Sequence, residues 1–367
     1  MGSELFRPAV AGLTPYQPGK PVEDVQRELG LKRVVKLASN EGPFPPFPAA
    51  LEAMERASLD LNRYPDGGAY RLHEALAARH CVAFEQVCAG AGADGCIDML
   101  NQAVLDPGDE IVCGWPSFPS YVIYARKLGA RPRTVPLRDH RYDLDALLDA
   151  VTPRTKLVYV CLPNNPTGTT NTRAELEAFL DRVPEHPLVV VDQAYFEYID
   201  HPDYPDAIEE YVNVGRRVLV LRTFSKIYGL AGLRVGYAIG PREVCAAMAK
   251  TRRPFDVTTT AQVAALASLD DAGEIANRRA LNAEGLARLR STLREHGFEP
   301  AEEAVGNFLY VDLGEDAEPL FERLLREGVI VRPLHGFGAP TAIRVSVGTP
   351  EENAFFADAL GRVLART

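Results

Sequence analysis

The chain has 367 residues, 46% hydrophobic and 25% charged, which suits a globular enzyme and exceeds what one core usually organises. Its net charge of −10 excludes the broad basic face of a nucleic-acid binder, and no apolar run approaches a membrane span. Six cysteines without a C-x-x-C pair read as free thiols, neither disulfides nor metal ligands, and residues 1–7 lack a signal-peptide core, so the expected location is cytoplasmic.

Residues 1–40 carry Pro8, Pro15, Pro18 and Pro21 around a short helical stretch at 22–29, and read as an arm that packs on another body. A strand is expected at 34–38 and helices at 49–58 and 70–80, with a Pro- and Gly-marked turn at 62–68 between them. Strands are then expected at 86–89, 110–113, 133–136, 157–161, 188–191 and 217–221. Helices alternate with them at 94–105, 118–128, 143–151 and 172–180, the last opened by the capping box Thr172-Arg-Ala-Glu175. Such alternation predicts a mostly parallel sheet with helices on both faces, spanning 41–260. From 261 to 367 a long helix at 274–296 precedes strands at 307–313, 329–332 and 343–347 and helices at 318–327 and 350–364, which predicts a second, smaller α/β body.

The expected strand at 217–221 runs into Arg222-Thr-Phe-Ser-Lys226-Ile-Tyr-Gly-Leu-Ala-Gly-Leu-Arg234. A lysine just past a strand end sits where open α/β sheets bind ligands. Among apolar neighbours it loses hydration, its pKa falls, and its amine becomes a nucleophile toward a carbonyl. Thr223, Ser225 and Arg234 supply hydroxyls and a guanidinium for a phosphate dianion. An amine for an aldehyde beside a cradle for a phosphate describes pyridoxal 5′-phosphate (PLP). Asp192 ends the apolar run 188–191, where a buried carboxylate needs a cation. A protonated pyridine nitrogen supplies one, and Tyr195 stands near enough in sequence to meet the ring oxygen.

Gly90-Ala-Gly92-Ala-Asp-Gly95 fits both a dinucleotide fingerprint and a single phosphate held at a helix N-terminus. The fingerprint also needs an acid ending a second strand; Asp109 and Glu110 instead precede one, so an NAD(P)-dependent dehydrogenase is the outside alternative. Asn164 and Asn165 leave a strand end between prolines, and the aromatics of Trp115-Pro-Ser-Phe118 are placed to stack on a planar cofactor. Arg332 and Arg344, in neighbouring expected strands, form a candidate pair for a dianionic substrate.

Ser39-Asn40-Glu41, Arg63-Tyr64-Pro65-Asp66, Asn164-Asn165-Pro166-Thr167-Gly168, Asp192-x-Ala194-Tyr195, Arg222-Thr-Phe-Ser-Lys226, Gly229-Leu-Ala-Gly-Leu-Arg234, Arg253-Pro-Phe255 and Arg344-Val-x-Val-Gly348 occur in this order. Over essentially its whole length the chain resembles the fold-type I, class I/II PLP aminotransferases, most closely the histidinol-phosphate aminotransferases. The resemblance implies a seven-stranded, mostly parallel sheet between helices, plus a smaller α/β domain. It implies that Lys226 carries the cofactor and later moves a proton, that Asp192 pairs with the pyridine nitrogen, and that Tyr195 and Asn165 meet the ring oxygen. Phe118 would stack on the ring, while Ala93, Asp94, Thr223, Ser225 and Arg234 would surround the phosphate. Tyr64 would reach the cofactor phosphate of the neighbouring subunit of a homodimer. Arg344 would take the substrate α-carboxylate; Tyr16 and Arg332 would line the side-chain pocket, Arg332 facing the substrate phosphate.

The implied partners are an amino donor and a 2-oxo acid, here histidinol phosphate and 2-oxoglutarate. An aminotransferase for phenylalanine or tyrosine is the alternative on the same fold, and a threonine-phosphate decarboxylase a further one. The chain departs from the family pattern at Ala93, which removes a phosphate-binding hydroxyl, at Gln193, and at Asp256, whose charge would oppose a substrate phosphate if it faced the pocket.

Overall fold

The computed structural model describes residues 5–365. Its strands, in chain order, are β1 (Val35–Lys36), β2 (Val87–Gly90), β3 (Glu110–Trp115), β4 (Arg131–Pro136), β5 (Thr155–Cys161), β6 (Leu188–Asp192), β7 (Val218–Thr223), β8 (Gly236–Ile239), β9 (Phe308–Asp312), β10 (Val329–Ile330), β11 (Arg332–Leu334) and β12 (Ala339–Ser346). Seven of them form one sheet in the order β2-β8-β7-β6-β5-β3-β4. β8 runs antiparallel to both of its neighbours, and the pairings from β7 through to β4 are parallel. The expected seven-stranded, mostly parallel sheet is therefore the one observed.

β6 and β7 are buried along their whole length because helices cover both faces, which is why they read as unbroken apolar runs. β4 closes one edge with Arg131, Pro132, Arg133 and Pro136, charges and prolines that discourage further pairing. The capping box at Thr172 forms as expected, its hydroxyl accepting from Glu175 N. Thr172→Ala should cost about 1 kcal/mol, read as a shift in the denaturant midpoint at unchanged slope.

The second body holds a three-stranded antiparallel sheet, β11-β12-β9, and a parallel pair, β1 with β10. Val35 lies beside Val329, so the N-terminal segment is stitched to a strand almost three hundred residues away. Leu37 N donates to Ile330 O at 2.8 Å, and Ser346 N donates to Leu37 O at 2.9 Å. These bonds carry Ala38, Ser39 and Asn40 to the seam between the two sheets. Buried hydrophobic residues from Phe47 to Ile275, with Phe308, pack around the large sheet, while Val25, Val35, Leu37 and Ala38 join most of those from Leu286 onward in a second core around β9, β10 and β12.

Three differences from the sequence expectation have simple causes. β8 was not expected: Gly236-Tyr-Ala-Ile is short, and its glycine is set by space, since a Cβ there would lie 2.4 Å from Ala93 N. The expected strand at 329–332 divides at Val331 because β10 pairs with β1 while β11 pairs with β12. The helices Arg242–Thr251 and Thr259–Ser268 also lay outside the expected elements.

Candidate active site

The C-terminal ends of β5, β6 and β7 open onto one cavity of about 240 Å³. Tyr16, Ala93, Asp94, Phe118, Asn165, Asp192, Tyr195, Thr223, Ser225, Lys226, Arg234, Arg332 and Arg344 all line it. Residues from the N-terminal segment, the large sheet and the second sheet thus meet at one cavity. Tyr64 does not: it is 81% exposed and stacks on Phe255 with centroids 4.5 Å apart.

Lys226 Nζ donates to Asn40 O at 3.2 Å. Burial, with the guanidinium of Arg344 adding to it, lowers the amine's pKa to about 7. Asp192 ends β6 and is 3% exposed. Its Oδ1 accepts from Ala194 N at 3.0 Å and its Oδ2 from the Tyr121 hydroxyl at 2.5 Å. Burial pulls this carboxyl above the ordinary range, against the opposing pull of the Tyr121 bond. The Tyr195 hydroxyl accepts from Asn40 Nδ2 at 2.9 Å, and burial keeps the phenol protonated.

At the other end of the cavity, Ser225 N donates to Thr223 Oγ1 at 3.1 Å, and the two hydroxyls lie 3.0 Å apart. Arg234 Nη1 reaches Ser225 Oγ at 3.4 Å. The helix Gly92–Val104 points its N-terminus here without a side-chain cap, leaving first-turn N–H groups as anion donors. Asp94 presents backbone more than carboxylate, because its two oxygens already accept from Ser120 Oγ at 2.5 Å and the Tyr124 hydroxyl at 2.6 Å. Gly236 brings β8 against this helix end with no room for a side chain. Gly236→Ala should push the helix away and weaken retention of a phosphorylated cofactor by about tenfold or more, checked by equilibrium dialysis.

Arg332 and Arg344 are directly opposite each other on β11 and β12. Like charges in that position repel unless an anion lies between them. Both are buried, and neither forms an ion pair among the described residues. Arg344 Nη2 donates to Ala38 O at 2.7 Å, Nη1 donates to Asn165 Oδ1, and Nε has no partner. Burial lowers the Arg344 pKa to about 10, and the charge of Arg332 adds to that effect. Arg332 Nη2 donates to Gln17 O, its guanidinium carbon lying 5.6 Å from the Tyr16 ring and 5.6 Å from the Phe337 ring.

The donor set fits PLP. An uncapped helix end, hydroxyls and an arginine meet an anionic phosphate; a buried carboxylate lies across from them for a basic ring nitrogen; an amine with a depressed pKa lies between for an aldehyde.

Two single residues lie away from the cofactor cavity. Asp256 does not face the substrate pocket: its Oδ2 accepts from Ala91 N at 3.2 Å and its Oδ1 pairs with Arg253 Nη2 at 2.6 Å. Trp115 lines an adjoining outer cavity together with Leu13 and Gln17, and of the aromatics in Trp115-Pro-Ser-Phe118 it is Phe118 that lines the cofactor cavity. Gln193 also lies outside the cavity, accepting from Arg222 Nη2 at 2.9 Å and donating to Pro205 O at 2.8 Å.

Asn40 is the residue whose importance sequence reasoning understated. Besides its bonds to Tyr195 and Lys226, its N donates to Ser346 Oγ at 3.0 Å and its carbonyl accepts from Asn307 Nδ2 at 3.1 Å. It does this with φ of 55°, a left-handed conformation that asparagine tolerates better than most residues. Its place within Ser39-Asn40-Glu41 was the available signal.

The sheet order and this strand-end constellation define a fold-type I PLP-dependent transferase. The dinucleotide reading fails on topology: β2, which leads into the glycine pattern, is an edge strand, whereas a dinucleotide fold puts that strand inside the sheet. The profile of the family described as "Aminotransferase class I and II" matches residues 32–360, and the chain belongs to that family.

Among curated relatives it is 46% identical over 362 residues to histidinol-phosphate aminotransferase of Moorella thermoacetica, covering 98% of this chain and 93% of that protein. It is 45% identical over 365 residues to histidinol-phosphate aminotransferase 2 of Pseudomonas aeruginosa, covering 98% of both. Among solved structures, histidinol-phosphate aminotransferase from Sinorhizobium meliloti, in complex with pyridoxal-5′-phosphate, superposes with a TM-score of 0.88 at 29% identity over 99% of this chain and 98% of that one. Aspartate aminotransferase from Thermus thermophilus with maleate gives 0.83 at 27% identity over 98% and 99%. No helix among the described residues is long and apolar enough to cross a membrane.

Proposed function

We propose that this chain is a PLP-dependent histidinol-phosphate aminotransferase, converting histidinol phosphate and 2-oxoglutarate to imidazole-acetol phosphate and glutamate. The observation that carries the substrate is the facing pair Arg332 and Arg344, buried, without acidic partners among the described residues, and lining a PLP-type cavity. The names of the relatives point the same way.

Bound PLP supplies an aldehyde for the substrate amine and a ring that accepts the electrons left when the Cα proton departs. Lys226 would hold the cofactor, and its Nζ is the group that would carry the substrate proton. Its depressed pKa makes the neutral, proton-accepting amine available near pH 7. Asp192 keeps the ring nitrogen protonated. Tyr195 and Asn165 would serve the ring oxygen, and Phe118 would supply an aromatic surface for the ring. Thr223, Ser225, Arg234 and the backbone at Ala93 and Asp94 hold the phosphate. Arg344 receives the α-carboxylate of glutamate, and Arg332, beside Tyr16, receives the phosphate of histidinol phosphate. Their adjacency lets one pocket serve two dianionic substrates in turn.

The exposed Tyr64, held by Phe255, suits a role on the neighbouring subunit of a cytoplasmic homodimer, where it would reach that subunit's cofactor phosphate. The division we propose is an arm (1–40), a PLP-binding body (41–260) and a smaller body (261–367).

A substrate panel read as half-reactions tests this function. The expected kcat/KM for histidinol phosphate exceeds that for phenylalanine or tyrosine by at least about 10³-fold, because a site built for a phosphate rejects a substrate that leaves the Arg332 guanidinium unpaired. Preference for the aromatic amino acids would make the aromatic aminotransferase the correct reading.

A further inference from the structure

Tyr121 lies behind Asp192, away from the cavity lining, and the proposed function gives it no task. Its hydroxyl donates to Asp192 Oδ2 at 2.5 Å, the length of a charge-assisted O–H···O⁻ bond. The ring is fully buried and stacks on Tyr159, centroids 4.4 Å apart and planes 14° from parallel. Phe118, which does line the cavity, meets it edge-on at 5.7 Å and 82°. Tyr159 is itself pinned, its hydroxyl accepting from Asn101 Nδ2 at 3.0 Å. Packing therefore leaves the Tyr121 phenol no room to swing from the carboxylate. Burial holds its proton well above the ordinary phenol range, so it remains a donor wherever the protein is folded.

We propose that Tyr121 is a positioning residue that keeps the Asp192 carboxylate ionised and aimed at the ring nitrogen of the cofactor. The proposal rests on the cofactor assignment above. Asp192 Oδ1 takes the N–H of Ala194, and Oδ2 takes the Tyr121 hydroxyl. A buried carboxylate stripped of one donor becomes more basic. A proton shared with the ring nitrogen would then pass to the Asp192 carboxylate, with no other bond made or broken, and the ring would lose the positive charge that makes it an electron acceptor. Tyr121 thus acts on the chemistry through Asp192 alone.

Tyr121→Phe keeps the ring and both aromatic contacts and deletes only the donor. Three readouts follow: the dissociation constant of PLP from the apo-protein, the ¹⁵N signal of ring-labelled PLP in the loaded protein, and the thermal midpoint of the apo-protein as a check of folding. The expected result is PLP affinity weakened roughly ten- to a hundredfold, the worth of a hydrogen bond to a charged group, together with a nitrogen signal moved toward the unprotonated position. Tyr159→Phe, which keeps the stack and loses a hydroxyl bonded to Asn101 and not to Asp192, should change neither. In an Asp192→Asn background, Tyr121→Phe should add little further loss. A folded Tyr121→Phe protein with unchanged affinity and nitrogen signal overturns the proposal, as does a loss that simply adds to that of Asp192→Asn. Failure of the unaltered protein to bind PLP overturns the cofactor assignment itself, which separates the two failures.

Discussion

Lys226→Ala is expected to abolish transamination, lowering kcat/KM by more than about 10⁴-fold, the upper range for one acid–base group. The expected loss goes beyond that range because the same amine also anchors the cofactor. The substituted protein should remain folded, since the side chain fills a cavity wall and makes a single hydrogen bond, to Asn40 O. It should also lose the visible absorbance of covalently held PLP while binding the cofactor through its phosphate contacts. Cofactor capture by the unaltered apo-protein should climb steeply as pH rises through about 7, where the amine gives up its proton. The sign for stability is the same. Between about 7 and the ordinary lysine value of 10.5, the unfolded chain binds a proton that the folded one has released, so apo-protein stability from this group rises with pH in that window. A capture rate flat from pH 6 to 9 would contradict the assignment of that amine.

Arg344→Ala has the second largest expected effect. Its guanidinium is buried, keeps Nε without a partner and is offset by no acidic side chain among the described residues. Losing a bidentate, charge-assisted contact at about 1.5–3 kcal/mol for each bond lowers kcat/KM by roughly 10²- to 10⁴-fold for glutamate. Arg332→Ala should weaken histidinol phosphate more than glutamate, because a phosphate dianion concentrates its charge on the group that Arg332 faces. The contrast between the two variants, measured with both substrates, assigns the two guanidiniums. Equal losses for both substrates in both variants would mean that the pair acts only as a shared positive field. Arg344→Lys is not a conservative control, since an ammonium cannot reproduce the two parallel N–H bonds.

The alternation of apolar strands and helices made the large sheet legible, and the chemistry was written at the end of β6 as Asp192 and three residues past the end of β7 as Lys226. Long, doubly covered strands announce themselves because burial on both faces demands continuous apolar residues. β8 was hidden for the opposite reason: four residues beginning with a glycine carry no period, and their place depends on contact with the Gly92 helix. Long-range pairing was equally illegible. Nothing in Val35-Lys36 announces a partner at Val329-Ile330, yet that pairing delivers Asn40 to Tyr195 and Lys226.

Single-residue departures were harder to read than motifs. Asp256 would oppose a phosphate only if it faced the pocket, and the folded chain turns it onto the backbone at Ala91, where a carboxylate complements a helix N-terminus. Gln193 was a departure from pattern whose side chain serves Arg222 on the other side of the strand end. Tyr121 escaped notice because a tyrosine one turn into a helix looks like core, and only its bond to Asp192 distinguishes it.

The central claim is that the Lys226 amine carries the cofactor while Asp192 faces its ring nitrogen. Borohydride reduction of the PLP-loaded protein, followed by proteolysis and mass spectrometry, tests the covalent half of that claim directly. The pyridoxyl label should appear on the peptide containing Lys226 and should vanish in Lys226→Ala. A label on any other lysine, or none on a protein that catalyses amino transfer, would contradict the account.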